Sequence, residues 1–331
     1  MKDIIEIKGL VKKFGDFTAV DSIDLGIKEN EIFGVLGPNG AGKTTMINLI
    51  LGLLKPTAGS IKVDGLDNVK HLEQIKNMIG FMTQETVVEN DLTAVQNLTL
   101  FCELYHVDKE DIGGRVAEAL KEARLEDFAD KKAGTFSGGM QRRLSLVRSM
   151  MHTPKILILD EPTTGLEVQN RFEMWDRIRE LRKKGMTIIM TTQYLEEADS
   201  LCDRIAIIDH GKIKAEGSPS ELKAMLGRGN VLEIVSDAAG APKIARVLES
   251  KFGIKATVNN EKVSTVLGGG SLKTFNSIVQ EMSRDGYSIF AISMHLPTLD
   301  DVFVKLTGAS LRDSVGENVS STVRARMMGR R

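Results

Sequence analysis

The sequence predicts an α/β fold for residues 1–227, followed by a small α+β domain over residues 228–312. Strand-like runs alternate with helix-like stretches throughout the first part, which is typical of helices layered on a sheet. Four apolar runs have no polar face, as expected of buried strands. A glycine-rich segment joins one of these runs to an amphipathic stretch. These three observations carry the prediction of the fold class.

The predicted strands of the first domain fall into two kinds. Residues 4–7 and 23–27 alternate apolar and polar positions, as edge strands do. Buried strands are predicted at residues 32–36, 156–159, 186–190 and 205–208. The Gly-Arg-Gly-Asn segment at residues 227–230 then interrupts the pattern, which indicates a linker.

The second domain has the predicted element order β-α-β-β-α-β, the ferredoxin-like pattern. Its strands are predicted at residues 231–235, 255–258, 263–267 and 289–294, with two amphipathic helices between them. A closing helix begins at Thr298, with Asp301 as its capping partner, and ends at Gly308. Residues 313–331 lose apolar periodicity and end in arginines, which predicts a disordered basic tail. Attraction of this tail to anionic headgroups is the alternative.

Composition limits the kinds of protein that fit. The 331 residues suffice for about two domains, with 42% hydrophobic and 27% charged residues. A formal net charge of −1 gives no reason to expect nucleic acid as a partner. The two cysteines, Cys102 and Cys202, encode neither a disulfide framework nor a zinc site. No apolar run reaches the ~18 residues of a membrane span, so a role outside the bilayer is predicted.

The glycine-rich segment matches the phosphate-binding pattern G-x-x-x-x-G-K-[ST]. Its backbone N–H groups can turn toward one anion, Lys43 brings charge to the β- and γ-phosphates, and the Thr44 hydroxyl is a Mg²⁺ ligand. The dipole of the following helix strengthens the anion site. The sequence therefore predicts that a nucleoside triphosphate and Mg²⁺ bind at Gly37, Pro38, Asn39, Gly40, Ala41, Gly42, Lys43, Thr44 and Thr45.

A second anion-binding helix end is predicted at Ser137, Gly138 and Gly139, because serine caps helices and the glycines allow close approach. Alone, this pattern is often only a helix cap. It precedes, however, a buried strand that ends in Asp160 and Glu161, a Walker-B-like arrangement. Asp160 is then expected near the Mg²⁺, and Glu161 is expected to act as general base on a water beside the γ-phosphate.

With these motifs in this order, residues 3–226 resemble the nucleotide-binding subunits of ABC transporters. The resemblance implies a P-loop NTPase of the ABC ATPase type with a helical signature subdomain. It maps the signature motif onto Ser137-Gly138-Gly139-Met140-Gln141. It also implies that Gln84 is the Q-loop residue that contacts Mg²⁺, that Phe14 stacks on adenine, and that Val20 and Gln141 lie at the nucleotide.

In this family two nucleotide domains pair head to tail, so that the signature helix of one caps the γ-phosphate held by the other. This chain carries two phosphate-cradling helix ends but only one complete Mg²⁺ site, which gives such pairing a physical motive. The resemblance therefore implies a homodimer or heterodimer that ATP closes and hydrolysis opens. ATP and Mg²⁺ are the implied cofactors.

Two positions depart from the family pattern. Gln193 stands where a histidine usually follows the strand at residues 186–190. Its amide can donate to phosphate but has no titratable proton near neutral pH, so it is expected to sense the γ-phosphate and to leave Glu161 as the only base. A slowed or degenerate ATPase is the alternative. Glu167 replaces the usual aspartate, and its extra methylene is expected to shift contacts across the dimer.

Gln193, the ferredoxin-like domain and the run at residues 299–308 resemble the daunorubicin-resistance type of exporter ATPase. This implies a separate membrane permease of the ABC-2 type, a position on the cytoplasmic face of the cell membrane, and export of a drug, antibiotic or lipid. The C-terminal domain fits a dimerisation or regulatory role equally well. A soluble ABC ATPase is the alternative function, although the interval from Gln84 to Ser137 leaves no room for a long coiled-coil arm. A P-loop GTPase or a small-molecule kinase is a third alternative, but no Asn-Lys-x-Asp run is present and neither class explains Ser137-Gly138-Gly139.

Overall fold

The computed structural model describes residues 2–85, 87–227, 229–268, 271–284 and 287–308. The chain divides into two compact units, Met1–Glu216 and Gly217–Arg331. The boundary between these units lies ahead of the linker expected at residues 227–230, because a short helix after Gly217 packs on the last helix of the second unit. Arg228 of that linker and the tail at residues 313–331 lie outside the described residues.

The first unit alternates strands and helices as the sequence predicts. Its strands are β1 (Asp3–Phe14), β2 (Phe17–Lys28), β3 (Ile32–Leu36), β4 (Ala58–Val63), β5 (Leu66–Asp67), β6 (Ile79–Met82), β7 (Ile156–Asp160), β8 (Thr187–Thr192), β9 (Arg204–Asp209) and β10 (Lys212–Gly217). Its helices are α1 (Lys43–Ile50), α2 (Leu72–Met78), α3 (Ala94–Leu104), α4 (Lys109–Ala123), α5 (Gly138–Arg148), α6 (Val168–Lys183) and α7 (Leu195–Leu201), with two 3₁₀ turns at Glu126–Phe128 and Ala133–Thr135.

The first sheet of this unit has the order β2-β1-β4-β5 within the described residues. β1 pairs antiparallel with both β2 and β4, so it lies inside the sheet. The prediction of an edge strand at residues 4–7 is therefore wrong. The apolar–polar alternation there arises because one face of an antiparallel sheet packs on a core while the other meets solvent.

The second sheet has the order β10-β9-β3-β8-β7-β6 within the described residues. β3 pairs in parallel with β8 and β9, and β7 pairs in parallel with β6 and β8. The four buried strands expected from unbroken apolar runs are β3, β7, β8 and β9, and these predictions are confirmed. Because β8 lies between β3 and β7, the loops that follow these three strands emerge side by side at one edge.

The main core fills the space between the two sheets. Ile5 of β1, Ile47 of α1 and Ile158 of β7 are all fully buried in one apolar cluster. Helix α1 is thus clamped between the sheets, and each such side chain contributes about 1.5–3 kcal/mol through burial. This packing fixes the position of the α1 N-terminus, where the phosphate loop ends.

A separate apolar cluster unites α3, α4 and α5, with Leu98, Leu120 and Leu144 fully or almost fully buried. It forms the helical subdomain that the resemblance implied. Helix α5 begins with the predicted signature residues and leads back toward β7. The signature is therefore carried by a helix that is anchored through a core of its own.

The second unit starts with α8 (Pro219–Ala224) and continues with β11 (Asn230–Ser236), α9 (Ala241–Phe252), β12 (Thr257–Asn259), β13 (Lys262–Leu267), α10 (Ser271–Arg284), β14 (Ile289–His295) and α11 (Leu299–Thr307). Its antiparallel sheet has the order β12-β13-β11-β14 within the described residues. Leu232, Ile244 and Ile278 lie in its separate core. Thr298 and Asp301 form the predicted capping box of α11, and Gly308 ends the helix at φ 79°. The ferredoxin-like prediction is confirmed.

Candidate nucleotide-binding and hydrolysis site

The phosphate loop joins β3 to α1, and its backbone is held from both sides. Gly42 is the N-cap of α1 with φ 107°, in the left-handed region that favours glycine. A Cβ on Gly42 would lie 2.4 Å from the carbonyl oxygen of Ala19, and one on Gly37 would lie 2.3 Å from that of Ile208. A side chain at either glycine would push the loop off these strands. The loop therefore has the geometry of a backbone cradle at a helix N-terminus, of the kind that binds phosphate.

Lys43 is buried within this cradle and is 5% exposed. Its Nζ donates to the carbonyl oxygens of Gly37 at 2.8 Å and Pro38 at 3.2 Å, and it lies 3.4 Å from Oε1 of Glu161. Burial lowers the pKa of Lys43, and the nearby carboxylates of Glu161 and Asp160 oppose that shift. These carboxylates favour the ammonium form, which is the form that pairs with a phosphate.

A hydroxyl and a carboxylate meet at the end of β7. Thr44 Oγ1 donates to Asp160 Oδ2 at 3.3 Å, and the Thr191 hydroxyl donates to the other carboxylate oxygen. The described residues contain no group of three or more His, Cys, Asp or Glu side chains that would hold a metal ion unaided. Mg²⁺ commonly uses one or two protein oxygens and completes its shell with waters and substrate phosphates. The pair of Thr44 and Asp160 fits a Mg²⁺ ion that binds together with nucleotide.

Glu161 follows directly and is held by several donors. Gln84 Nε2 and Thr164 Oγ1 each donate to its Oε2 at 3.1 Å, and its backbone N–H donates to Thr191 Oγ1 at 3.0 Å. The residue is 5% exposed and has φ 47°. A side chain in this left-handed region costs about 1–2 kcal/mol, so the surrounding contacts enforce the conformation. The carboxylate is thereby oriented beside Lys43 and Gln84.

Gln193 follows β8, on the loop adjacent to that of Asp160. Its amide oxygen is buried and has no hydrogen-bond partner among the described residues. This atom is therefore available to a group that the described chain does not supply. Glu167, the other departure from the family pattern, is exposed at the N-cap of α6 and makes no side-chain capping bond.

The predicted signature residues form the first turn of α5. Ser137 is the N-cap, and its Oγ accepts from the Met140 N–H at 3.3 Å. Gln141 Nε2 donates to the Ala133 carbonyl at 2.9 Å, so its amide binds the backbone of the helical subdomain. No hydrogen bond among the described residues connects Ser137, Gly138 or Gly139 to the phosphate loop. Within one chain, the two predicted cradles are therefore not linked by direct hydrogen bonds among the described residues.

Phe14, the residue expected to stack on the adenine base, lies at the tip of the β1–β2 hairpin. Phe14 is 48% exposed, with Lys12 Nζ 5.0 Å from its ring centroid. A half-exposed ring at a hairpin tip is accessible for stacking. Val20, in contrast, is 1% exposed and belongs to the apolar core. The predicted nucleotide contacts of Phe14, Val20 and Gln141 remain predictions.

Several site residues escaped the sequence analysis. Thr191 and Thr164 orient the two carboxylates, as described above. Glu197 of α7 is fully buried and accepts from Thr163 Oγ1 at 2.8 Å and Trp175 Nε1 at 3.0 Å; burial raises its pKa. Its position four residues before the buried Leu201 was the available signal, since this spacing places both on one helix face. Arg142, a buried cation, was also missed.

Comparison with known proteins agrees with this geometry. The sequence model of the ABC transporter family matches residues 20–164. The daunorubicin resistance ATP-binding protein DrrA3 of Streptomyces coeruleorubidus is 38% identical over 308 residues, which are 93% of this chain and 97% of that protein. The chain belongs to the ABC transporter family. Its predicted ATPase activity is thereby confirmed.

Other relatives extend this result. The linearmycin resistance ATP-binding protein LnrL of Bacillus subtilis is 33% identical over 94% of this chain and 100% of that protein. The Nod factor export ATP-binding protein I of Ralstonia nicotianae is 34% identical over 94% of this chain and 95% of that protein. These relatives confirm the prediction of an ATP-hydrolysing exporter subunit over that of a soluble ATPase. Such subunits act at a membrane with permease partners, and no described helix here has the length and apolarity to cross one.

Solved structures support the fold of the first unit. The ATP-binding cassette MJ0796, in a dimeric post-hydrolysis state bound to ADP and Pi, has a TM-score of 0.59 and 30% identity. The match covers 65% of this chain and 98% of that chain. An ATP-binding subunit of another ABC transporter gives a TM-score of 0.62 at 27% identity, covering 68% of this chain and 93% of that chain. The ABC ATPase fold class is confirmed.

Proposed function

We propose that this ATPase powers the export of a drug, antibiotic or lipid through a separate membrane permease of the ABC-2 type, from the cytoplasmic face of the membrane. The named roles of the relatives in daunorubicin resistance, linearmycin resistance and Nod factor export support the cargo class. All three match over almost the whole length of this chain, the second unit included. We further propose that this second unit is an accessory domain that regulates the subunit or its pairing.

We propose a role for each of the main polar groups around the phosphate loop. The loop backbone and Lys43 bind the β- and γ-phosphates, and Thr44, Asp160 and Gln84 hold Mg²⁺. When bound, Mg²⁺ neutralises charge on the phosphates and orients them. Glu161 accepts a proton from the attacking water as general base. The contacts of Glu161 with Gln84 and Lys43 support this proposal, because these residues are the proposed metal ligand and the proposed phosphate-binding ammonium.

Two further side chains complete the proposed nucleotide contacts. Gln193 senses the γ-phosphate through its side-chain amide, whose buried end has no hydrogen-bond partner among the described residues. With the amide rotated so that its NH₂ group takes the place of the oxygen, this end donates to a phosphate oxygen. Phe14 stacks on the base, an interaction that tolerates different bases. Because Gln193 does not titrate near neutral pH, the base function stays with Glu161 alone.

The single observation that supports the proposed cycle is that the signature end of α5 makes no direct hydrogen bond to the phosphate loop among the described residues. Ser137, Gly138 and Gly139 form a helix N-terminus that binds anions but makes no hydrogen bond to the described phosphate loop. In a head-to-tail pair, each signature end would close the site of the partner, and both ends would be used twice. ATP then stabilises the pair, and hydrolysis releases it. The pair is formed by two copies of this chain or by this chain and a related subunit.

The test uses the Glu161→Gln variant of the full chain. Size-exclusion chromatography with light scattering is expected to show an ATP-dependent dimer in this variant, and a monomer without nucleotide. A variant that stays monomeric with ATP and Mg²⁺ excludes a pair formed by two copies of this chain. Co-purification from detergent-solubilised membranes with a six-span membrane protein is expected for the exporter role. Recovery with ribosomes or DNA instead contradicts that role.

A further inference from the structure

Arg142 is a buried cation on the second turn of the signature helix α5. The side chain is 2% exposed, and it is among the largest fully buried side chains of the described residues. All of its hydrogen bonds go to backbone carbonyl oxygens in two loops of the hydrolysis site. Nε donates to Pro162 at 2.7 Å, Nη1 to Thr83 at 3.0 Å and Gln84 at 2.7 Å, and Nη2 to Glu161 at 2.7 Å and Asp160 at 3.4 Å.

These contacts use the whole guanidinium group. Arginine presents its N–H donors in a rigid planar fork, which a lysine ammonium cannot reproduce. Burial lowers the pKa of Arg142 to about 10, against the opposing charges of Asp160, Glu197 and Glu161, so the group stays protonated at neutral pH. A desolvated cation is costly unless its donors are satisfied. The cost is compensated here only if both loops keep their carbonyls turned toward Arg142.

The position of Arg142 on α5 gives this clamp a functional meaning. The helix starts at Ser137, the end that is proposed to meet the γ-phosphate held by a partner subunit. Arg142 lies five residues along the same rigid helix, about 7.5 Å from that end. The other end of the connection is the backbone of Gln84 and Glu161, which the proposed function makes a metal ligand and the general base.

We propose that Arg142 is a positioning residue that couples the two nucleotide sites of a pair. When the first turn of α5 engages phosphate on the partner, Arg142 sets the Gln84 and Glu161 loops of its own chain in the hydrolytic geometry. Hydrolysis at one site then depends on occupancy of the other, which gives positive cooperativity in ATP turnover. The inference rests on the proposed head-to-tail pairing and names the residue through which the coupling passes.

The neighbouring arginine provides a matched control. Arg143 lies on the same helix and is partly exposed. Its Nε donates to the Ala123 carbonyl at 2.9 Å, and Nη1 lies 3.3 Å from Glu173 Oε2. These partners belong to α4 and α6 and not to the hydrolysis loops. An effect that arises from lost charge or helix packing alone would appear in both arginine variants.

The experiment compares Arg142→Met, Arg142→Lys and Arg143→Met in the full chain. Measured quantities are ATP affinity from titration with a fluorescent ATP analogue, kcat, and the Hill coefficient of ATP turnover. We expect both Arg142 variants to bind ATP with wild-type affinity, to lose about 10- to 100-fold in kcat, and to show a Hill coefficient of one. Arg143→Met is expected to keep wild-type kcat and cooperativity.

Three outcomes overturn the inference. They are wild-type kcat and cooperativity in the Arg142 variants, the same loss in Arg143→Met, and a parallel loss of ATP affinity in Arg142→Lys, which would indicate general damage. If Arg142→Met does not fold, Arg142→Lys, which keeps the buried charge, decides alone. Failure of the pairing itself is detected separately, because the Glu161→Gln variant with an intact Arg142 would then form no ATP-dependent dimer.

Discussion

Glu161→Gln tests the centre of the site, because it replaces the ionised carboxylate with a neutral amide and keeps the shape of the side chain. The wild-type carboxylate accepts from Gln84 and Thr164 and pairs with Lys43 at 3.4 Å. A glutamine oxygen can still accept one of these bonds. The variant removes the proton acceptor of the proposed reaction and the negative partner of the buried ammonium.

The structure sets the size of both effects. Loss of a general base is expected to lower kcat by about 10²–10⁴-fold. The loss of stability is expected to be about 1.5–3 kcal/mol, as for a hydrogen bond to a charged group. It stays below the ~3–5 kcal/mol of a buried charge without partners, because Lys43 keeps its bonds to Gly37 and Pro38. ATP at 100 times its Kd should add about 2.7 kcal/mol to the free energy of unfolding of any form that binds it, the variant included, by mass action.

The assays are single-turnover ATP hydrolysis and urea denaturation with and without ATP. Glu196→Gln is the matched control, since Glu196 is an exposed carboxylate on α7 and should change neither quantity. Hydrolysis by Glu161→Gln at the wild-type rate would refute the assignment of the base. An unchanged free energy of unfolding without nucleotide would show that the pair with Lys43 contributes nothing.

Three other substitutions examine the remaining contacts. Lys43→Ala should lower ATP affinity at least about 10- to 100-fold through loss of a charge-assisted phosphate bond; unchanged affinity by calorimetry would exclude the loop as the phosphate site. Gln193→His should keep kcat within about threefold if the position only senses phosphate, whereas complete loss of turnover would show a more specialised role. Phe14→Ala should weaken ATP and GTP binding equally, by about 1–3 kcal/mol, and a loss confined to ATP would argue against simple stacking.

Local patterns in the sequence predicted most of the fold. The bounds of β3 at Ile32–Leu36 and the capping box at Thr298 match the structure, because unbroken apolar runs and caps are encoded by adjacent residues. The position of β1 inside its sheet was not predicted, since alternation reports a solvated face and not the number of neighbours. Pairing partners depend on residues far apart in the chain.

The site shows the same division. The motifs predicted that Lys43, Thr44, Asp160 and Glu161 serve one site, and the structure places Lys43 3.4 Å from Glu161 and Thr44 3.3 Å from Asp160. The choice between the adjacent Arg142 and Arg143 was not predictable, because only the packing of α5 decides which of them is buried. Thr191 was missed for a related reason: its hydroxyl matters only because β8 lies directly beside β7.

The close approach of Gly37 and Gly42 to neighbouring strands has a consequence for the turnover cycle. The conformation of the phosphate loop is fixed by contacts with Ile208 and Ala19, so a nucleotide can bind without first ordering the loop. ADP, which retains the α- and β-phosphates, should bind to the same preformed loop. The rate of ADP release would then be set by dissociation of the two subunits and not by a conformational change of the phosphate loop.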